Sequence, residues 1–236
     1  MISEETVEYT ICAIEHARAK PFLIHRHYAR RVPAMSFSFG LFDELEKLIG
    51  VCVFGSPANY KSNTIGGYKG IELVRLFVED FCIKNTASFF LSRCLKLLPK
   101  DLMVISYADP HNGHRGYIYQ ATNWFYAGQG QRKGGGWDSG VIGFIENATG
   151  KNWHARSFGI KFGPCNADNA KLHGFTRTFL APKHKYFYFT GKNKKKAYGD
   201  LGLEMIPYPK GDNIRYDTGS FPLVDDLFSL PPAGSP

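Results

Sequence analysis

Three groups of side chains in this sequence have the types and spacing for acid–base and group-transfer chemistry. The first is the stretch Ser106–Tyr126, SYADPHNGHRGYIYQATNWFY, in which Asp109, His111, Asn112 and His114 crowd one turn. An aspartate beside two imidazoles can take or relay a proton. Tyr117, Tyr119, Asn123, Trp124 and Tyr126 follow, and such rings stack on a base as readily as they fill a core. The second is His25-Arg26-His27-Tyr28, with Arg30 and Arg31 just beyond, a cationic cluster suited to phosphate with a histidine or tyrosine poised beside it. The third is Glu72 and Arg75, charged residues inside the apolar run Ile71–Val78. Burying a charge unpaired is very costly, so each must be paired or line a cavity. Spaced by three, they are expected on opposite sides of a regular strand.

These groups need elements to hold them. Leu102–Ile105 reads as a buried strand that runs into Ser106-Tyr107-Ala108-Asp109 and is stopped by Pro110. Gly116–Trp124 has helical spacing, so the turn between would lie at the carboxyl end of a strand, where α/β folds bind ligands. Upstream, Val7–Ile14 is a first strand, a short helix ends near Tyr28, and Ser36–Leu41 pairs with Ile49–Phe54. The clearest helix is Asn85–Leu98, capped by Asn85 or Thr86 and stopped by Pro99. Ser88, Ser92 and Lys96 share one of its faces, and its free N–H groups could seat a phosphate or carbonyl. Gly128–Trp137 and Lys192–Lys196 read as basic loops, and Lys183–Phe189 as a late strand. The expectation is a single domain over residues 1–220, with 129–180 an insertion lacking a core of its own and 221–236 an extended or disordered tail.

Composition narrows the partners. The 236 residues carry 29 Lys+Arg against 21 Asp+Glu, a net charge of +8, and 15% are aromatic. That balance favours a polyanion such as nucleic acid or a phosphorylated donor. The five cysteines are widely spaced with no CxxC pair, which supports neither a zinc ribbon nor a disulfide framework. There is no GxGxxG and no Walker sequence, against dinucleotide-fold dehydrogenases and P-loop enzymes. With no visible signal peptide and no apolar run near 20 residues, a cytoplasmic location without membrane association is expected.

The order of a strand with Glu72-Leu73-Val74-Arg75-Leu76, a capped helix, the Ser106–Asp109 strand and an aromatic segment resembles the GNAT acyltransferase architecture. More narrowly, the chain is similar to the Mom family of phage DNA-modification proteins, through His27-Tyr28, Ser88–Lys96, Gly116–Trp124, His154-Ala155-Arg156-Ser157 and Lys185-Tyr186. The block Tyr117–Trp124 is the most specific part. The resemblance implies an α/β fold with a mixed, mostly antiparallel central sheet flanked by helices. It also implies a transferase that places a carbamoylmethyl group on adenine N6 of phage DNA inside the infected host, evading restriction. The substrate would be double-stranded DNA with the adenine flipped out of the stack. Family members are also associated with iron, for which His27, Asp109, His111, His114 and His154 are conceivable ligands, although no pair has metal-motif spacing.

On that reading Tyr28, Tyr119 or Trp124 clamps the base, and Asp109 or His27 orients or deprotonates N6. Arg75, Ser88 and Ser92 hold the donor, while Glu72, Asn123, Arg156 and Lys185 contact the substrate. The donor is left open between an acyl-CoA and an aminoacyl ester such as glycyl-tRNA, the latter making tRNA a second partner. Two rivals predict different things. An ordinary GNAT enzyme would acetylate a small amine or protein without DNA, but the glycine-rich pyrophosphate loop before the capped helix is missing. A non-catalytic DNA-binding protein would explain the charge but not Glu72, Arg75, Ser88 and Asp109.

Overall fold

Period-two apolar alternation and Pro or Gly breaks divide most of the chain into short strands, and these pair into two sheets. The structure is a computed structural model and describes residues 8–27, 29–57, 64–110, 113–129, 141–180, 182–191, 194–202 and 206–211. In chain order the elements are β1 (Thr10–Ala13), α1 (His16–Pro21), a π-helical turn (Phe22–Arg26), β2 (Phe37–Phe42), β3 (Leu48–Gly55), β4 (Thr64–Ile65) and β5 (Tyr68–Val78). There follow α2 (Thr86–Leu97), β6 (Leu102–Ala108), α3 (Tyr117–Ala121), β7 (Phe125–Gln129), β8 (Val141–Glu146) and β9 (Asn152–His154). The described chain closes with α4 (Ala155–Phe162), α5 (Ala167–Leu172), β10 (Phe175–Leu180), β11 (His184–Phe189) and α6 (Lys194–Asp200).

The large sheet has the strand order β1-β2-β3-β5-β6-β11-β7, with β4 paired to the start of β5. Every pairing in it is antiparallel except β5 with β6, so the mixed, mostly antiparallel central sheet is present. On one face α2 buries Phe90, Leu91, Cys94 and Leu95 against Phe39, Cys52, Phe54, Leu73 and Val104. The other face is covered in two pieces. Phe22 and Leu23 of the π-helical turn and Ala19 of α1 pack on Val51 and Val53, while Ala197 and Tyr198 of α6 pack on Met103, Phe187 and Phe189.

A bulge in β5 overturns the expectation that Glu72 and Arg75 face opposite sides. The β3–β5 register shifts so that Arg75 lies opposite Val53 while Leu73 lies opposite Phe54, leaving Val74 as the extra residue. One inserted residue inverts the alternation beyond it. Glu72 and Arg75 therefore share the face of Val51 and Val53, opposite α2.

Four further expectations are corrected. The aromatic helix is only five residues long, because Asn123 takes a left-handed φ of 57° and the chain turns into β7. The basic run ending at Lys196 enters α6 rather than a loop, where Lys196 reaches Asp200 one turn on at 2.8 Å. Asn85, itself left-handed, makes no side-chain cap on α2; instead Thr86 Oγ1 donates to Ile83 O at 2.8 Å and Ser88 Oγ donates to Asn85 O at 2.9 Å. The segment expected to lack a core has one: the small sheet β10-β8-β9 and helices α4 and α5 bury Phe144, Phe158, Ala170 and Phe175. The tail from Phe221 onward lies outside the described residues.

Candidate active site

The parallel ladder between β5 and β6 ends at Glu72↔Ile105, although both strands continue. Beyond that pair they part, and the wedge is bridged by Ser106 Oγ, 3.3 Å from Leu73 O and 2.8 Å from the Tyr119 hydroxyl. On the face away from α2, polar side chains replace the apolar pattern on both sides of the wedge. Glu72 and Arg75 come from β5, Tyr107 from β6, and Lys185 from β11, directly across the strand pair from Tyr107. The strip lies between the π-helical turn on one side and α6 on the other.

Electrostatics tie the strip together. Burial, reinforced by the charge of Glu72, pushes the Tyr107 phenol up to about 12, so it stays a hydrogen-bond donor at neutral pH. Burial pulls the Lys185 ammonium down from its usual range, and that ammonium lies 4.6 Å over the Phe187 ring. At the other end His27 closes the π-helical turn, its N–H donating to Phe22 O at 2.8 Å. Its imidazole is pulled down to about 4 by burial and then by the Arg75 guanidinium, which places it within reach of that charge. The His27 Nδ1 accepts the Ala29 N–H at 3.0 Å. A neutral imidazole whose Nδ1 is the acceptor carries its proton on Nε2. With Nδ1 so occupied, His27 presents Nε2–H as a donor.

The turn after β6 brings a second set to the same face. Asp109 Oδ2 meets Lys183 Nζ at 3.1 Å. His114 is pulled down to about 4 by burial, against the opposing pull of Asp109 and with help from Lys183. His154, from the small sheet, is lowered by burial and then by the charges of Lys183, Arg156 and Arg31. Its Nδ1 accepts the Arg156 N–H at 3.0 Å and caps α4.

Other expected site residues land elsewhere. Trp124 is fully buried in the α2-side core and cannot stack on a base. Tyr119 is half-buried there, its ring 5.1 Å from Trp124 and 5.0 Å from Tyr186. Asn123 is exposed in the turn into β7. The conspicuous aromatic block is therefore a brace: Tyr186 Oη and Gln120 Nε2 donate to Arg115 O at 2.5 and 3.2 Å, holding the turn that carries Asp109 and His114. Ser88 and Ser92 sit on α2, and the sheet separates them from the Arg75 side chain. Tyr28 and His111 lie outside the described residues. Among the described residues the conceivable iron ligands do not gather on one ion: His27 and His154 each spend Nδ1 on a backbone N–H, Asp109 is ion-paired, and no group of three His, Cys, Asp or Glu is found.

Sequence reasoning missed Tyr107 and Lys183. Tyr107 stood in a strand end beside Ser106, and only the pairing with β11 reveals that it faces Lys185.

A family model described as the Mom protein family matches residues 8–210. The methylcarbamoylase mom of Escherichia phage Mu is 25% identical over 209 residues, covering 81% of this chain and 80% of that protein. Solved structures align more loosely. Spermidine N-acetyltransferase of Vibrio cholerae in complex with CoA and spermine gives a TM-score of 0.42 at 11% identity, over 77% of this chain and 95% of that one. Arabidopsis thaliana NAA60 in complex with acetyl-CoA gives 0.43 at 11% identity, over 77% and 98%.

Proposed function

The chain belongs to the Mom protein family, and from that premise we propose that it is a transferase that modifies DNA, placing a carbamoylmethyl group on adenine N6. The observation that carries this reading is the polar strip of Glu72, Arg75, Tyr107 and Lys185 beside the β5–β6 wedge. A flipped adenine needs its exocyclic amine held and relieved of a proton, and the acyl carbon it attacks needs its developing oxyanion stabilised. Arg75 and the Tyr107 phenol supply the electrophilic side. Asp109 or Glu72 takes the proton, with Lys183 holding the Asp109 carboxylate in place. His27 Nε2–H is a further donor at the Arg75 end. Lys185 and Arg156 meet the DNA.

The donor lies in the wedge, where it can touch both faces of the sheet, and Ser88 and Ser92 would reach it only from the α2 side. An acyl-CoA would need to seat its pyrophosphate near the start of α2, where the preceding loop Asp80-Phe81-Cys82-Ile83-Lys84 has no glycine. A glycyl ester such as glycyl-tRNA has a direct route to the product. Adenine N6 attacks the ester carbonyl and expels the alcohol, giving an N6-glycyl adenine. Its free amine then attacks C6 through a five-membered ring, and the C6–N6 bond breaks. The original N6 ends as the amide nitrogen of the carbamoylmethyl group, with no electrons gained or lost.

The test is expression in bacteria followed by mass spectrometry of nucleosides from plasmid DNA. A carbamoylmethyl adenosine is expected from the wild type. Arg75→Ala should lower its yield roughly 100- to 1,000-fold while leaving the circular dichroism spectrum unchanged. Unmodified DNA beside folded protein that turns over acetyl-CoA on a small amine would replace this reading with an ordinary acyltransferase.

A further inference from the structure

The two faces of the small sheet differ in what they present. Phe144, Trp153 and Phe175 point to the side packed by α4 and α5. Strand register then assigns Gly143, Ile145, Asn152, His154, Thr176 and Thr178 to the opposite face. Among the described residues that face carries no carboxylate, and Asn152, His154 and Thr176 on it are exposed. At its β9 edge, His154 feels the charges of three cations from three separate elements. They are Arg31 from the loop after the π-helical turn, Arg156 from the first turn of α4, and Lys183 from the approach to β11. Asp109, the acid in contact there, is already matched by Lys183 at 3.1 Å. Arg31 and Arg156 are both exposed.

We propose that this seam, formed by Arg31, Arg156, Lys183 and the exposed Asn152, His154 and Thr176 of the small sheet, is the track that grips the sugar–phosphate backbone of duplex DNA beside the reacting adenine. It rests on the DNA-modification reading above. Hydroxyl, amide and imidazole N–H groups on a flat strand face suit phosphate and sugar oxygens, which position a duplex without reading its sequence. The arginines supply the charge, and each phosphate they neutralise releases condensed counterions. With Nδ1 occupied by the Arg156 N–H, His154 offers its other nitrogen as a donor toward the same seam. Because the small sheet lies in sequence between β7 and β11, closing it on the backbone would set the register of the duplex relative to Lys185 and Tyr107.

Salt dependence tests this directly. The full-length protein is titrated onto a short fluorescein-labelled DNA duplex by anisotropy at several KCl concentrations. Arg31→Gln and Arg156→Gln should each flatten the plot of log K against log salt by about 0.9, and the double variant by about 1.8. Lys161→Gln, whose side chain lies over the Trp153 and Phe162 rings on the packed side, should leave the slope unchanged. Wild-type slopes in both arginine variants, or an equal loss in Lys161→Gln, would overturn the track. So would a loss seen on an RNA hairpin but not on duplex DNA. Nucleoside mass spectrometry of the same variants keeps the two readings apart: modified adenine with unchanged slopes removes the track alone, whereas absence of modified adenine from wild type removes the DNA-modification reading.

Discussion

His27 shows how burial sets the role of a single residue. Its type and its neighbours Arg26 and Tyr28 suggest a base, but burial and then Arg75 pull its folded pKa down to about 4, which keeps the ring neutral but only weakly basic, and its Nδ1 is taken by the Ala29 N–H. The folded value lies below the ordinary 6.5, so the unfolded chain binds more protons between those two pH values. Stability contributed by the neutral ring is therefore complete above pH 6.5 and is lost as pH falls toward 4. The slope is at most about 1.4 kcal/mol per pH unit for this group. His114 adds to the loss in the same window, reduced by its greater contact with solvent. Urea unfolding from pH 7 to 4 should show the midpoint falling, and His27→Gln should flatten that fall. An unchanged slope in the variant would mean His27 does not titrate there. Trp124 teaches the converse. The sequence marks it as conspicuous, yet only its burial shows that it stabilises the core instead of touching substrate.

At the scale of elements, the strands were legible and their irregularities were not. Expected strands at Ser36–Leu41, Ile49–Phe54 and Lys183–Phe189 fall within a residue or two of β2, β3 and β11. Periodicity sees these because each has an apolar face. It does not see the β5 bulge, which depends on how β3 pairs with β5 and which puts Glu72 and Arg75 on one face. Nor does it see where α3 stops, since Trp124 and Tyr126 are drawn into the core and onto β11. Gly116 is the sensitive point of that element. It enters α3 at φ 75°, and a Cβ there would lie 2.5 Å from the fully buried Tyr186 ring. Gly116→Ala should therefore cost about 2 kcal/mol or more, from left-handed backbone strain and overpacking together. Thermal unfolding would show it, and a wild-type melting temperature would mean that the brace around Arg115 gives way freely.

On the scale of the whole molecule, the described residues of the small sheet keep a core separate from the packing of the large sheet. Phe144 and Phe158 stack at 3.8 Å in that small core, whose sheet shares no ladder with the large sheet among the described residues. Phe158→Ala should cost about 3–5 kcal/mol locally. Hydrogen exchange is expected to rise across residues 141–180 while β6 keeps its protection, and uniform loss would mean that the two cores unfold as one unit. No helix of the described residues is long and apolar enough to cross a membrane. The sequence by itself determined several strands and helix α2, the basic balance, the family resemblance and the suspicion attached to Glu72, Arg75 and Asp109. Those follow from local periodicity, from composition and from the price of burying charge. Tertiary structure alone decided which of them meet. A bulge, a parallel pair that parts after Glu72, and cross-strand register are properties of pairing between distant segments. Through them Tyr107, Lys183 and Lys185 join the strip, and Trp124 and Tyr119 leave it.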